Sequence, residues 1–152
     1  MSNRGIEIPL KYRMRESILN ENAPAIFFLH GYGSNMEDLF SLSQFFSDEW
    51  AIISFQASES IGFGGYAWAE LDFSNLRELP KPEQKVDSIN NIHNSISALS
   101  SKFNFDKNQI YILGFSQGSD LALSTGFKFP NFYKGIISLC GYFDIKKVEY
   151  DL

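Results

Sequence analysis

Residues 114–118, with the sequence Gly-Phe-Ser-Gln-Gly, constrain the fold of this chain more than any other segment. They follow an apolar run at 109–113 and open a segment with helical spacing at 117–128. A Gly-x-Ser-x-Gly motif between a strand and a helix is typical of a sharp turn that lifts a serine hydroxyl out of a sheet. The sequence therefore predicts that Ser116 is a nucleophile at such a turn. The alternative is a tight turn in which Ser116 only caps the helix.

Short apolar runs alternate with helical segments along the chain. The strand candidates are residues 25–29, 50–55, 109–113 and 135–140. The apolar faces of the first two predicted helices are Leu39, Leu42, Phe45 and Phe46, and then Val86, Ile89, Ile92, Ile96, Leu99 and Phe103. This alternation predicts one α/β domain over residues 1–152, with a central, mostly parallel sheet between two layers of helices. Residues 6–14 predict an edge strand. Residues 56–82 have no sustained period, which indicates either a functional loop or secondary-structure elements that the pattern does not reveal.

Composition excludes several classes of protein. A chain of 152 residues with 44% hydrophobic residues is typical of one globular domain. Its net charge of −5 argues against nucleic acid as a partner, and no stretch nears the ~18 apolar residues of a membrane span. The single Cys140 excludes an intrachain disulfide and favours a reducing compartment, so we expect a cytoplasmic protein. Metal-ligand spacing and phosphate-binding glycine motifs are missing from the sequence, so we expect neither metal nor cofactor.

A second glycine-rich segment, His-Gly-Tyr-Gly at residues 30–33, follows the first apolar run. Ester hydrolysis builds negative charge on the former carbonyl oxygen, and preorganised backbone N–H groups stabilise that charge. One donor comes from the residue after the nucleophile, here Gln117, and the other from the loop after this early strand. Tyr32, which has a glycine on either side, is the predicted second donor. The alternative is a plain glycine-rich strand exit.

Four stretches carry a resemblance to a known family: Phe-Leu-His-Gly-Tyr-Gly-Ser at 28–34, Ala-Trp-Ala-Glu-Leu-Asp at 67–72, Ile-Leu-Gly-Phe-Ser-Gln-Gly at 112–118 and Ile-Ser-Leu-Cys-Gly-Tyr at 137–142. They resemble the phospholipase/carboxylesterase family of the α/β-hydrolases, which includes the acyl-protein thioesterases. The resemblance implies a three-layer α/β-hydrolase fold and hydrolysis of a small-molecule ester or acyl thioester by a Ser-Asp-His triad, without a cofactor. It also implies that Trp68 and Tyr66 line the acyl pocket, although Trp68 also suits a core or lid position.

The chain departs from this family after Ser116. The family places its acid and then its histidine after the serine, but no histidine follows Ser116 in this sequence. Both triad partners, together with further strands, would lie beyond Leu152, so we expect the C-terminal strands of the fold to be missing. His30 belongs to the predicted oxyanion loop, and His93 borders the buried face of a helix, so we expect neither to be the base.

The other reactive side chains have ordinary structural interpretations. We expect Glu70 and Asp72 to organise their loop. Asp144 follows the fourth predicted strand, where some hydrolases of this fold carry their acid, but without a histidine to orient we expect it to be a surface carboxylate. Cys140 is expected to be a buried, inert thiol within a strand.

Three interpretations of the whole chain remain open. It is a truncated copy of an esterase that is inactive as given, or a non-catalytic protein that binds a partner through its last strand, or a chain whose triad is completed by a second chain. Open strand edges are normally covered in native proteins, so the first interpretation is favoured. For the same reason we expect self-association through the edge of the last strand.

Overall fold

The computed structural model describes residues 7–141. The strands of this range are β1 (Tyr12–Arg15), β2 (Ala25–Leu29), β3 (Ala51–Phe55), β4 (Glu59–Gly62), β5 (Gly65–Ala67), β6 (Ile110–Phe115) and β7 (Gly135–Leu139). The α-helices are α1 (Met36–Phe40), α2 (Pro82–Lys102) and α3 (Gln117–Lys128). A 3-10 helix, Ser41–Phe45, directly follows α1.

Within residues 7–141, five strands form the central sheet in the order β1-β3-β2-β6-β7. Only β1 is antiparallel to its neighbour, and the other three pairs are parallel. Every residue of β2 and β3 is buried, as expected for central strands that are covered on both faces. The predicted α/β architecture with a mostly parallel sheet is therefore confirmed.

The two faces of the sheet are covered by different helices. On one face, α2 and α3 pack over β2, β3 and β6, and the side chains of Phe27, Ile53, Ile92 and Ile112 meet in the larger core. On the other face, α1 and the 3-10 helix form a smaller core around Phe28. Helices on both faces of a parallel sheet give the three-layer arrangement that the alternation predicted.

The smaller core does not extend to the far end of its face. In the β6–β7 pairing Phe115 lies opposite Leu139, and Ile137 is the neighbour of Leu139 on the same face. These three side chains are 37–39% exposed. Among residues 7–141, β7 pairs with β6 alone, so the expected open edge is present in the part of the chain that the structure describes.

Of the two alternatives for the segment 56–82, that of unrevealed elements is confirmed: it contains the β4–β5 hairpin, whose short, glycine-rich strands carry no two-residue period. Two other local predictions were wrong. Phe45, the last residue of the 3-10 helix, is 77% exposed, and Leu42 and Phe46 pack against the smaller core instead. Val86 is 50% exposed, since the buried stripe of α2 begins only at Ser88 and Ile89.

The first turn of α3 packs against the carboxyl end of β2 without intervening side chains. A Cβ atom on Gly118 would overlap the carbonyl oxygens of Leu29 and His30, and a Cβ atom on Gly114 would overlap the carbonyl group of Gly118. Because these neighbours are backbone atoms, they cannot rotate away. Both glycines of the motif are therefore required by the approach of this helix to the sheet.

We predict that Gly118→Ala lowers the free energy of unfolding by about 3 kcal/mol, because the new methyl group meets fixed backbone. The measurement is the urea midpoint and slope of the purified variant. Gly126→Ala is the matched control: its Cβ atom would lie 2.9 Å from a side-chain atom of Ile136, which can rotate, and alanine favours a helix by about 1 kcal/mol. Equal losses in the two variants would contradict the prediction.

Candidate active site

The loops that carry the predicted site residues lie at one edge of the sheet. The carboxyl ends of parallel strands meet at the same edge, where ligands of open α/β sheets bind. His30 follows β2 there, Ser116 follows β6 and Cys140 follows β7. The two segments that the sequence singled out as catalytic are therefore brought together by strand order.

Ser116 occupies the turn between β6 and α3 with φ 52° and ψ −117°, a conformation that residues with side chains rarely adopt. Its N–H donates to the carbonyl of Leu139 at 2.9 Å, which ties the turn to β7. The side chain is half-buried, and its Oγ has no hydrogen-bond partner among residues 7–141. The predicted strand-to-helix setting of Ser116 is confirmed, whereas its role as nucleophile stays a prediction.

The loop after β2 passes directly beside Ser116. A Cβ atom on Gly31 would lie 3.4 Å from the Cβ of Ser116, and the Ser34 N–H donates to the Gly31 carbonyl at 3.2 Å to close the turn. Within the described range, the N–H groups of Tyr32 and Gln117 donate to no other residue. An oxyanion hole requires two such donors next to the nucleophile. The assignment of Tyr32 and Gln117 to that role stays a prediction.

A third segment, residues 66–69, completes this edge. The Gly33 N–H donates to the Tyr66 carbonyl at 2.9 Å, and the Tyr66 N–H donates to the Ser34 carbonyl at 2.8 Å. The Gln117 side chain holds the other end of the segment, accepting from the Trp68 N–H at 2.9 Å and donating to the Ala69 carbonyl at 2.7 Å. Sequence reasoning missed this contact, because no local pattern relates two positions so far apart in the chain.

Trp68 does not line a pocket in this structure. Its side chain is fully buried, and its indole N–H donates to the His30 carbonyl at 2.8 Å. Since none of the ring is open to a ligand, the core interpretation of Trp68 agrees with the structure and the expected contact with an acyl chain does not. Tyr66 is half-buried against the larger core, and its contact with substrate stays a prediction.

The sequence profile of the phospholipase/carboxylesterase family matches residues 15–148. The chain belongs to this family. No curated protein matches it by sequence.

Solved structures of similar fold agree with the family assignment. The esterase PE8 is 27% identical, with a TM-score of 0.79 over 88% of this chain. The carboxylesterase of Bacillus cereus is 19% identical, with a TM-score of 0.76 over 92% of the chain. The phospholipase/carboxylesterase of Dyadobacter fermentans is 22% identical, with a TM-score of 0.68 over 92% of the chain. The fold is thus that of the α/β-hydrolases, and the chain spans 64–65% of the length of these three structures.

His30 is engaged in structure on both sides of its ring. Its Nδ1 lies 2.8 Å from the Gly31 carbonyl, which can only accept, and its Nε2 accepts from the Ala57 N–H at 3.1 Å. The ring is therefore the neutral tautomer protonated at Nδ1. Burial lowers the pKa of His30, against the opposing effects of the Gly31 carbonyl and of Asp38. Neither nitrogen remains to accept the proton of Ser116, as expected.

His93 lies at the opposite end of α3 from Ser116. Its ring stacks on Phe129 with centroids 3.6 Å apart, and its Nδ1 lies 2.7 Å from the Tyr133 hydroxyl. Phe129 directly follows the last residue of α3 and Ser116 directly precedes its first, so the length of the helix separates them by about 20 Å. A base must lie within hydrogen-bond reach, which excludes His93. The described residues therefore contain no histidine base for Ser116.

The two loop carboxylates organise their own segment. Glu70 pairs with Lys81 at 2.6 Å and accepts from Gln84, and these hydrogen bonds lower its pKa. Asp72 accepts from the N–H and hydroxyl of Ser74, which lower its pKa in the same way. Both carboxylates therefore have the structural role that the sequence predicted.

The expectation for Cys140 was wrong. Its thiol is exposed, and the residue lies just after β7 with φ 53°, because β7 ends one residue earlier than predicted. Asp144 lies outside the described residues. Among residues 7–141 no cluster of side chains suits a metal ion, and no helix is long and apolar enough to cross a membrane.

We predict that the protein loses stability as the pH falls from about 7.5 to about 5. Burial lowers the pKa of both His30 and His93 in the folded chain, with Lys128 lowering that of His93 further. The unfolded chain, with a histidine pKa near 6.5, then binds more protons than the folded chain, so the stabilisation is present above that pH and is lost below it. The measurement is the urea midpoint at several pH values.

His93→Gln is the variant that isolates one of these groups. We expect its stability to depend less steeply on pH than that of the wild type, with the His30 contribution remaining. Glu16→Gln, at an exposed site, is the control and should leave the slope over this range unchanged. A flat pH dependence in the wild type would contradict the prediction.

Proposed function

We propose that this chain carries the nucleophile and oxyanion hole of a serine hydrolase that acts on carboxylic esters or thioesters. The observation that carries the proposal is the left-handed turn at Ser116, together with the nearby N–H groups of Tyr32 and Gln117, which donate to no group of residues 7–141. Membership of a family of phospholipases and carboxylesterases supports the substrate class. The free Cys140 supports a cytoplasmic location.

In the proposed reaction, Ser116 Oγ bonds to the acyl carbon and the carbonyl oxygen becomes an oxyanion. The N–H groups of Tyr32 and Gln117 donate to that oxyanion, in a site where such donors stabilise charge by several kcal/mol. Collapse of the tetrahedral intermediate breaks the bond to the alcohol or thiol, and water then hydrolyses the acyl-enzyme. The proton of Ser116 must go to a base from outside residues 7–141, in this chain or another.

A non-catalytic role is the second candidate. The observation that favours it is the apolar end of the sheet, where Phe115, Ile137 and Leu139 lie side by side and exposed. Contiguous exposed apolar surface often marks a docking site. The experiments on turnover and on association separate the two candidates.

We predict that the 152-residue chain hydrolyses short p-nitrophenyl esters barely above the buffer rate. Without a base, Ser116 keeps its proton at neutral pH and is a poor nucleophile. Ser116→Ala should change this residual rate little, and a fluorophosphonate probe should label Ser116 weakly. The measurement is the initial rate of nitrophenolate release, with Ser101→Ala, at an exposed position of α2, as the control.

A chimera tests the proposed function more sharply. When the C-terminal segment of the esterase PE8 follows residue 141, to supply the Asp and His that the family resemblance implies, the rate should rise by about 10³-fold or more and fall again on Ser116→Ala. A folded chimera without turnover would contradict the proposed function. Strong Ser116-dependent turnover by the 152-residue chain would show that a base is already present.

We further propose that the chain associates with itself through β7. Its outer edge has no partner strand within the described range, and unpaired strand edges recruit other strands. We predict dimers or larger species at micromolar concentration in sedimentation velocity. Ile137→Lys should shift the population to monomer, because it places a charge on the exposed apolar face beside that edge. Phe63→Lys, at a fully exposed hairpin position, is the control, and a monomeric wild type would contradict the proposal.

A further inference from the structure

The side chain of Gln117 hydrogen-bonds to backbone groups in the way that a neighbouring strand would. Its Oε1 and Nε2 bind the N–H of Trp68 and the carbonyl of Ala69, which are backbone groups of consecutive residues. Both functional groups of the carboxamide are therefore used on one short segment. The backbone N–H of the same residue is one of the two donors in the proposed oxyanion hole.

The segment that Gln117 holds is joined at its other end to the loop that carries Tyr32. Tyr66 exchanges two backbone hydrogen bonds with Gly33 and Ser34, the two residues that follow Tyr32. These bonds form an isolated antiparallel β-bridge. The indole N–H of Trp68 binds the carbonyl of His30, two residues before Tyr32. The loop is thus held on both sides of Tyr32 by a segment that is anchored to Gln117.

We propose that the Gln117 side chain is a positioning residue, which sets the place of the Tyr32 N–H relative to the N–H of Gln117 through residues 66–69. The inference rests on the proposed function, since it concerns the two donors of that site. Oxyanion stabilisation depends on donors at 2.7–3.1 Å from the developing charge, so small displacements of one donor matter. The side chain and the backbone N–H of one residue thereby serve the same site.

Two kinds of variant distinguish positioning by Gln117 from a general stabilisation of residues 66–69. Gln117→Met has similar length and makes neither hydrogen bond, whereas Gln117→Glu keeps the acceptor for Trp68 but sets a carboxylate against the Ala69 carbonyl. Ser88→Ala is the matched control, because the Ser88 hydroxyl donates to the Trp68 carbonyl at 2.6 Å from α2, away from the elbow. It removes one hydrogen bond from the same residue without touching Gln117.

The first measurement is the ¹H–¹⁵N spectrum of the full 152-residue chain. We expect the Tyr32 amide resonance to shift in Gln117→Met and in Gln117→Glu, and to stay in place in Ser88→Ala. An unmoved Tyr32 resonance in the folded Gln117 variants would overturn the proposal. An equal shift in Ser88→Ala would also overturn it, because any loosening of the segment would then suffice. If Gln117→Met fails to fold, Gln117→Glu decides the outcome.

The second measurement is the hydrolysis of p-nitrophenyl acetate by the chimera with the C-terminal segment of the esterase PE8, whose expected rate is high enough for a loss to be measured. We expect kcat to fall about tenfold in Gln117→Met with KM retained, and both to be unchanged in Ser88→Ala. An equal loss of kcat in the two variants would overturn positioning. A folded chimera without turnover would count against the proposed function, whereas the Tyr32 resonance of the 152-residue chain would still test the positioning proposal.

Discussion

The direct packing of α3 on the carboxyl end of β2 is the contact on which this site depends. No side chain fits between the first turn of the helix and the carbonyl groups of Leu29 and His30, so glycine is required at position 118. At this contact the backbone of Ser116 has a positive φ, and Gly31 lies directly beside Ser116. Two loops that are distant in sequence thereby meet at atomic contact, which is the condition for two backbone donors to serve one anion.

The parts of this fold that local pattern determines were predictable, and the parts that depend on distant contacts were not. The run at 25–29 and the motif at 114–118 carry their own signals, because buried central strands are continuously apolar and the elbow needs its glycines. The β4–β5 hairpin has no such period, and nothing near Gln117 in sequence announces its partners at 68 and 69. The buried state of Trp68 likewise depends on His30 and Ser88, which are distant in the chain.

Both histidines, His30 and His93, have structural roles, although histidine is the usual base in enzymes of this fold. His30 uses one nitrogen as donor and one as acceptor to hold two backbone segments, and His93 fills an aromatic cluster. In both places burial favours the neutral ring, as their lowered pKa values indicate. Within residues 7–141, neither histidine is therefore available to accept the proton of Ser116.

The position of β2 at the middle of the sheet has a consequence for how the chain folds during synthesis. Ala25 of β2 pairs with Ile110 of β6, so the centre of the sheet cannot close until the whole stretch between them has been made. At about 5–20 residues per second, that wait lasts roughly 4–17 s. Throughout it, one edge of a fully apolar strand is unpaired, which exposes the nascent chain to aggregation until β6 emerges.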